Sequence, residues 1–299
     1  MAKAKTYSTA NSFRTALEER LKSIAKEGLG LDRLRKQVSF DRLLARLFSS
    51  PMQWVLKGGY AMQLRLEGAR NTKDVDLALK ELRLHAKNEE ERHDALQLII
   101  QEYADKDLDD FFRFLITGPI KDLNAAPYGG ARYLVETRLA GRLFEKFHLD
   151  IGIGDVWIEP LESLVSLPWL EFAGISRQRF PAIPVEQQFA EKLHAYTRPR
   201  ENANSRVKDL VDMSLLIGEG KMDLRKLGSA VRATFERYKT HNLPTHLDPP
   251  PESWFTPFSK LAEECHLGQN LDDGFRTVEH FFKTIPLLTL STKNGGTIA

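Results

Sequence analysis

Residues 57–77 read KGGYAMQLRLEGARNTKDVDL, with a glycine pair near one end and an acid pair near the other. The apolar residues 54–56 predict a strand, Gly58-Gly59 predicts a turn into a helix, and residues 74–79 predict a second strand. Two glycines between a strand and a helix expose backbone N–H groups beside the positive end of the helix dipole, where a phosphate can approach. The same pattern is common in ordinary turns, so alone it is a weak indication.

The acid pair is Asp74-Val75-Asp76. Side chains two residues apart point to the same face of a strand, so Asp74 and Asp76 project together while Val75 faces the core. Adjacent carboxylates repel each other unless a cation lies between them, which predicts a site for Mg²⁺ or Mn²⁺. The alternative is an exposed strand with two solvated acids, but the glycine pair upstream favours the metal.

A third acid is expected, because metal-assisted transfer uses carboxylates that bind the ions and reach the attacking oxygen. In residues 143–151 apolar side chains alternate with His148 and Asp150, which predicts a strand with Asp150 on its polar face. We therefore predict Asp150 as a further metal ligand. It could instead be an acid at a strand end that caps a turn. Asp155 is a weaker candidate because it follows glycines in a predicted loop.

Two helical segments further along the chain read FAEKLHA, around Lys192, and RVKDLVDM, around Asp209. The apolar residues of the first segment face inward, which leaves Lys192 free to point at a triphosphate. Asp209 and Asp212 share one helical face and can hold Lys192 or Arg206. A lysine on a helix is ordinarily solvated, and that alternative stays open at this point.

Hydrophobic periodicity divides the chain into three parts. Residues 1–50 form a helical N-terminal segment, residues 51–160 a core with a small mixed sheet, and residues 161–299 a helical C-terminal domain. Within the core, two strands flank Ala140-Gly141 and predict a hairpin. The expected fold class is α+β, with a small mixed sheet and helices, N-terminal helices and a helical C-terminal half.

The overall charge excludes a protein that attracts nucleic acid through its whole surface. Net charge is +2, from 43 basic and 41 acidic residues. Two local series are basic. We interpret the first series as a solvated helix face; it comprises Arg33, Arg35, Lys36, Arg42 and Arg46. The second series is a candidate contact for nucleic acid; it comprises Arg198, Arg200, Arg206 and Lys208.

The cysteine content and hydropathy pattern bear on the compartment. Cys265 is the only cysteine, so no internal disulfide can form and a reducing compartment is indicated. There is no run of about eighteen apolar residues and no apolar leader at the start. The sequence therefore predicts a cytoplasmic protein that does not contact a membrane.

These motifs together resemble those of the AbiEii/AbiGii-type nucleotidyltransferase toxins, a branch of the DNA polymerase β-like superfamily that includes MenT-like toxins. The resemblance extends over residues 54–217 and depends on the glycine pair, the acid pair and the segments around Lys192 and Asp209. It implies a polymerase β-like core, metal-dependent nucleotidyltransferase activity and a cognate antitoxin, which could carry a DNA-binding helix-turn-helix. Some family members add nucleotides to tRNA 3′ ends and so block translation.

The resemblance also assigns roles to individual positions. It maps the triphosphate loop onto Gly58 and Gly59, the metal pair onto Asp74 and Asp76, the basic residue near the phosphates onto Lys192, and the acid of the last motif onto Asp209. The chain departs from the pattern at Tyr60, where a serine or threonine usually contacts a phosphate through its hydroxyl. A tyrosine hydroxyl reaches further, which puts that contact in doubt and leaves the backbone contacts of the glycines.

The expected reaction transfers NMP from an NTP to an acceptor hydroxyl, with Asp150 helping to activate the acceptor. Lys57, Arg70 and Lys192 are the expected phosphate-binding cations. The favoured acceptor is a tRNA 3′ end, from the resemblance and the basic series after residue 197, and the outcome would be arrest of translation and growth in a toxin–antitoxin or phage-defence system. The alternatives are nucleotidylation of a protein or small molecule, and a non-catalytic module that binds nucleotide or antitoxin.

Overall fold

The chain begins with two helices that pack on a sheet. The computed structural model describes residues 6–26, 30–80, 88–122, 127–200 and 206–286. Helix α1 spans Ala10–Ala25 and helix α2 spans Leu31–Leu47. The side chain of Thr9 caps α1 by accepting a hydrogen bond from the backbone N–H of Ser12. Helix α1 buries one face, through Phe13, Leu17 and Leu21, whereas α2 is buried on all sides from Gln37 to Leu44.

The central feature of the described chain is one mixed sheet of seven strands. The strands are β1 (Val55–Lys57), β2 (Asp74–Leu79), β3 (Phe112–Asp122), β4 (Gly130–Leu139), β5 (Arg142–Ile153), β6 (Glu162–Val165) and β7 (Arg179–Ala182). Across the sheet they lie in the order β3-β4-β5-β2-β1-β7-β6. The pairs β2–β5 and β1–β7 are parallel, and the other pairs are antiparallel. A mixed sheet with helices confirms the predicted fold class.

The hairpin predicted at Ala140-Gly141 is present. Both residues have positive φ, 53° at Ala140 and 72° at Gly141. A two-residue hairpin turn needs this left-handed backbone at both central positions because it matches the twist of the strands. The turn joins β4 to β5, so the strand that carries Asp150 is paired along its length with β4.

A β-bulge interrupts the pairing of β4 with β5 near this turn. Arg138 lies opposite Leu143, whereas Thr137 lies opposite Glu145, so Phe144 has no partner on β4. One extra residue on one strand shifts the register of every pair beyond it. The bulge therefore sets which residues of β4 face those of β5 over the rest of the hairpin.

The inner face of the sheet is apolar and packs against α2 and α4 (Glu89–Ala104). The basic series on α2 is partly inside this core rather than on a solvated face. Arg46 donates to both carboxylate oxygens of Asp110, at 2.9 and 2.7 Å, and Arg42 donates to the same carboxylate at 2.6 Å. All three side chains are buried. The interpretation of this series as a solvated face is therefore wrong for Arg42 and Arg46, because Asp110 pairs with both.

Five helices follow the sheet in the described C-terminal part: α5 (Val185–Thr197), α6 (Val207–Gly218), α7 (Leu224–Tyr238), α8 (Phe255–Glu264) and α9 (Leu271–Thr284). They belong to a second compact unit. The first unit comprises residues 1–67, 71–155 and 162–182, and the second comprises residues 68–70, 156–161 and 183–299. Strands β6 and β7 therefore belong to the sheet, although the sequence division assigned their residues to the C-terminal domain.

The second unit contains two histidines that are linked through the hydroxyl of Thr240. The hydroxyl of Thr240 lies 2.9 Å from Nε2 of His194 and 2.9 Å from Nδ1 of His241. The hydroxyl of Thr197 lies 2.8 Å from the other nitrogen of His241. Burial lowers the pKa of His194 to about 4, with further contributions from His241 and Arg198.

Among the described residues, no helix has the length and apolar character required to cross a bilayer.

Candidate functional site

The acid pair lies on the open face of the sheet. Asp74 and Asp76 alternate with the buried Val75 and Leu77 along β2, as the period of a strand requires. Asp76 lies directly opposite Asp150 in the parallel pairing of β2 with β5. The predicted arrangement of three carboxylates on one face is therefore present in the first unit.

The glycine pair packs directly against the strand that carries the acids. Gly58 has a φ of 66° and begins helix α3, which spans Gly58–Arg65. A Cβ at Gly58 would overlap the carboxylate of Asp76, and a Cβ at Gly59 would overlap the hydroxyl of Thr72. Both positions thus lack room for any side chain, and the N-terminus of α3 lies beside Asp76. This is the geometry in which backbone N–H groups can receive a phosphate bound with a metal ion.

Lys57 directly precedes the glycine pair and forms an ion pair. Its Nζ donates to Oδ2 of Asp155 at 2.6 Å, and the side chain of Asp155 is only 2% exposed. The expectation that Lys57 binds phosphate stays a prediction. Its amine would have to contact the phosphate while it also pairs with the buried carboxylate of Asp155.

Two residues on the open face were not among the sequence candidates. Arg132 donates to both oxygens of Asp150, each at 2.7 Å, and its Nη2 lies 3.6 Å from Oδ2 of Asp74. Nδ1 of His148 lies 3.0 Å from Oδ1 of Asp74. The hydrogen bond to Asp150 is the main reason that the pKa of Arg132 is raised. The alternating pattern of β5 is enough to place His148 on the same face as Asp150. The position of Arg132 opposite Asp150, however, depends on the register of β4 against β5.

Tyr60 takes no part in this face. Its hydroxyl donates to Oδ1 of Asp41 at 2.6 Å, and both side chains are buried. Burial raises the pKa of Asp41 to about 7, although Tyr60 and the backbone N–H of Leu167 counteract the shift by hydrogen bonding. The hydroxyl at position 60 therefore points into the core, so it does not replace the phosphate-binding serine or threonine of the resembled motif.

The second group of predicted residues lies in the other compact unit, around Asp212 of helix α6. Arg70 donates to both oxygens of Asp212, each at 3.0 Å, and Nζ of Lys192 donates to Oδ2 at 2.5 Å. Lys192 also lies 3.5 Å from Asp209, and Arg206 lies 3.6 Å from Asp209. The expectation that the two acids hold Lys192 or Arg206 is met, and Asp212 contributes the shortest contact.

Burial and charge act in opposite directions on this cluster. Burial alone would raise the pKa of Asp212, but Lys192 and Arg70 outweigh it and the pKa is lowered. For Asp209 burial outweighs the nearby cations and the pKa is raised. Burial opposes the charged form of Lys192, yet Asp212 and Asp209 raise its pKa. Lys192 is thus a buried, paired cation rather than the solvated lysine considered as an alternative.

The donor set fits a divalent ion that arrives with phosphates. Among the described residues, no three or more His, Cys, Asp or Glu side chains are arranged to hold a metal ion by themselves. Mg²⁺ usually binds through one or two carboxylates together with waters and substrate phosphates. Asp74 and Asp76, next to the N-terminus of α3, supply such a pair, so the chemistry of the face is compatible with the predicted ion.

Comparisons with known proteins add to this geometry. The family model described as "Nucleotidyl transferase AbiEii toxin, Type IV TA system" matches residues 42–275. MenT4, the nucleotidyltransferase toxin Rv2826c from Mycobacterium tuberculosis H37Rv, is similar in structure, with a TM-score of 0.55 and 16% identity over 89% of this chain and 93% of that chain. This likeness shows a shared fold.

Two further structures come from Helicobacter pylori. A candidate nucleotidyltransferase has a TM-score of 0.41 and 17% identity over 83% of this chain and 96% of its own. JHP933 has a TM-score of 0.38 and 16% identity over 93% of this chain and 96% of its own. None of the curated proteins compared matches the chain in sequence.

Proposed function

The chain belongs to the AbiEii family of nucleotidyltransferase toxins, and on that basis we propose that it transfers NMP from an NTP to a tRNA 3′ end with a divalent ion held by Asp74 and Asp76. The observation that carries the proposal is the contact between the acid strand and the glycine pair, where a Cβ at Gly58 would overlap the carboxylate of Asp76. This contact supports the proposal because it brings carboxylate oxygens suited to a divalent ion close to backbone N–H groups suited to a phosphate.

The reaction requires that the acceptor oxygen bonds to the α-phosphorus while the bond from that phosphorus to the β-phosphate breaks. Pyrophosphate leaves, and the proton of the acceptor hydroxyl passes to Asp150. A bound Mg²⁺ or Mn²⁺ would neutralise charge on the transferring phosphate. Asp74 and Asp76 would hold that ion, and the backbone N–H groups of Gly58 and Gly59 would bind the phosphates.

The cluster around Asp212 has a less direct part in the proposal. Lys192 and Arg70 were expected to neutralise the leaving phosphates, and both donate to Asp212. A cation held by a buried carboxylate has a fixed position, which is what charge stabilisation in a transition state needs. Their role in transfer, and that of Asp209, stays a prediction.

The acceptor is proposed from charge. The side chains of Arg198 and Arg200 lie at the end of α5, and Arg206 and Arg198 help to lower the pKa of Arg200 after the larger effect of burial. Cations close enough to disturb one another favour an anionic partner such as an RNA backbone. Residues 201–205, which separate Arg200 from Arg206 in the sequence, lie outside the described part of the chain.

The proposal also covers the cellular setting. Family membership implies an antitoxin partner, and a helix-turn-helix antitoxin is our proposal for it. Transfer to tRNA would stop translation and growth in a toxin–antitoxin or phage-defence system. We place the protein in the cytoplasm, where its tRNA substrate is found and where the single, buried Cys265 would remain reduced.

Acceptor labelling tests this function. The protein is incubated with Mg²⁺ and each α-labelled NTP in turn, with bulk tRNA, tRNA-free protein extract or small metabolites as the acceptor. Label on tRNA is expected, and periodate treatment of the tRNA should abolish it because the 3′-terminal diol is destroyed. Label on protein or metabolite would replace tRNA as the acceptor. An absence of label, together with no NTP-dependent rise in melting temperature, would indicate a non-catalytic module.

A further inference from the structure

Four charged residues lie directly opposite one another in a row across four neighbouring strands of the sheet. Arg132 on β4 is opposite Asp150 on β5, Asp150 is opposite Asp76 on β2, and Asp76 is opposite Lys57 on β1. We propose that Arg132 keeps Asp150 out of metal coordination, so that this face binds a single divalent ion through Asp74 and Asp76. The inference deepens the proposed function and rests on it.

Arg132 occupies both carboxylate oxygens of Asp150. Nε and Nη2 of Arg132 each donate to a different oxygen of Asp150, at 2.7 Å, which is the bidentate arrangement that a guanidinium and a carboxylate prefer. The side chain of Asp150 is 13% exposed and that of Asp74 is 32% exposed. An ion that bound Asp150 would have to displace the guanidinium from a mostly enclosed carboxylate, whereas Asp74 is more open to solvent.

Arg132 also brings positive charge next to Asp150. An arginine side chain stays protonated in proteins, so the cation next to Asp150 is permanent. Its Nη2 is also 3.6 Å from Asp74, and it therefore offsets the repulsion between acids on neighbouring strands. A second divalent ion at Asp150 would face this fixed positive charge at close range. Arg132 thus supplies the positive charge that a second ion would otherwise bring, and Asp150 stays oriented as a proton acceptor.

Arg132 is therefore a positioning residue for Asp150, and its effect on the number of bound ions can be measured without an activity assay. Binding of Mn²⁺ alone to the full chain is followed by electron paramagnetic resonance. The wild-type protein should bind one Mn²⁺ ion. Asp76→Asn should weaken binding by ~10-fold or more, as expected for loss of a metal ligand or its immediate support, whereas Asp150→Asn should leave the number of ions and the affinity unchanged.

Removal of the guanidinium gives the complementary result. Arg132→Gln should free Asp150 and allow a second Mn²⁺ ion to bind, and the double variant Arg132→Gln/Asp150→Asn should return to one ion. Circular dichroism melting shows whether each variant is folded. If Arg132→Gln does not fold, the comparison of Asp150→Asn with the wild type still decides the question.

The outcomes separate this inference from the proposed function. Two ions in the wild type, one of which is lost in Asp150→Asn, would overturn the inference and leave the metal-dependent transferase intact. The inference would also be overturned if Asp150→Asn weakened Mn²⁺ binding as much as Asp76→Asn does. A wild-type protein that binds no Mn²⁺, either alone or together with a non-hydrolysable NTP analogue, would overturn both.

Discussion

The carboxylate of Asp76 lies so close to the α-carbon of Gly58 that no β-carbon fits between them. Gly58 also has a φ of 66°, a conformation that other residues adopt only with strain. The residue is therefore constrained twice, once by its own backbone and once by the acid that is proposed to hold the metal.

Gly58→Ala should lower transfer by about 100-fold or more, because the methyl group must displace Asp76 and a misplaced reacting group costs about that much. Gly141→Ala is a matched control, since Gly141 has a φ of 72° and open space around it. Gly141→Ala should lose about 1–2 kcal/mol of stability through backbone strain, and Gly58→Ala should lose more because its methyl group also displaces Asp76. Equal activities of the two folded variants would refute the contact's role in catalysis.

Tyr60→Phe should lower the free energy of unfolding by about 1–3 kcal/mol, because it removes a buried hydrogen bond to Asp41. The loss should be larger above pH 7, where Asp41 is ionised in the folded protein, than below it. Turnover and the KM for NTP should not change, because the hydroxyl points into the core. Urea denaturation at two pH values and steady-state kinetics check these results. A raised KM would indicate that the hydroxyl of Tyr60 contacts a phosphate after all.

Lys192→Met should destabilise the protein by about 3–5 kcal/mol, because it leaves Asp209 and Asp212 buried without one of their cations. At a temperature where the variant is folded, transfer should also fall by about 2–4 kcal/mol in transition-state energy if the amine stabilises the leaving phosphates. A double-mutant cycle with Asp212→Asn isolates the ion pair. Normal turnover in the folded variant would restrict Lys192 to a structural role.

Replacement of Arg198 and Arg200 by Glu should weaken tRNA labelling and reduce the slope of log rate against log salt by roughly one for each lost phosphate contact. Binding of NTP should stay near the wild-type level. The control is the same charge reversal at Arg225 and Lys226, two exposed residues at the start of α7. If the first pair lost NTP binding together with tRNA labelling, its arginines would serve packing instead of acceptor binding.

Stability should fall as pH decreases from about 6.5 to about 4, because His194 takes up a proton in the unfolded chain before it does so in the folded protein. Its pKa in the folded state is depressed, so this contribution is fully present above about pH 6.5 and is lost as the pH falls to about 4. His194→Gln, whose amide can donate to or accept from the hydroxyl of Thr240, should flatten the dependence in urea titrations. An unchanged slope would show that other groups cause it.

The features that were predicted from sequence are those set by local periodicity. Alternation along a strand placed Asp74 and Asp76 on one face, and the pattern around Ala140-Gly141 gave the hairpin. These patterns extend over a few residues, so no knowledge of distant contacts was needed. The separation of Asp209 and Asp212 by about one helical turn likewise predicted their shared ion pair with Lys192.

The features that were missed depend on contacts between distant parts of the chain. Lys57 and Asp155 are 98 residues apart, and nothing local to either indicates that they pair. Arg42 and Arg46 looked like a solvated face because their partner, Asp110, comes from a separate segment. Arg132 meets Asp150 only because the bulge shifts the register, and alternation within each strand does not reveal where a bulge lies.

The bulge at Phe144 also restricts how the hairpin can change during evolution. Loss of Phe144 itself would only remove the bulge, because the residues beyond it keep their partners on β4. Deletion of Lys146 would instead move His148 and Asp150 to the apolar side and bring Phe147 and Leu149 to the open face, because side chains alternate along a strand. A single insertion elsewhere in β5 would have the same effect. Length variation among relatives should therefore collect in the turn at Ala140-Gly141 or at the bulge, or occur elsewhere in the strands in steps of two residues, so that the acids stay on the open face.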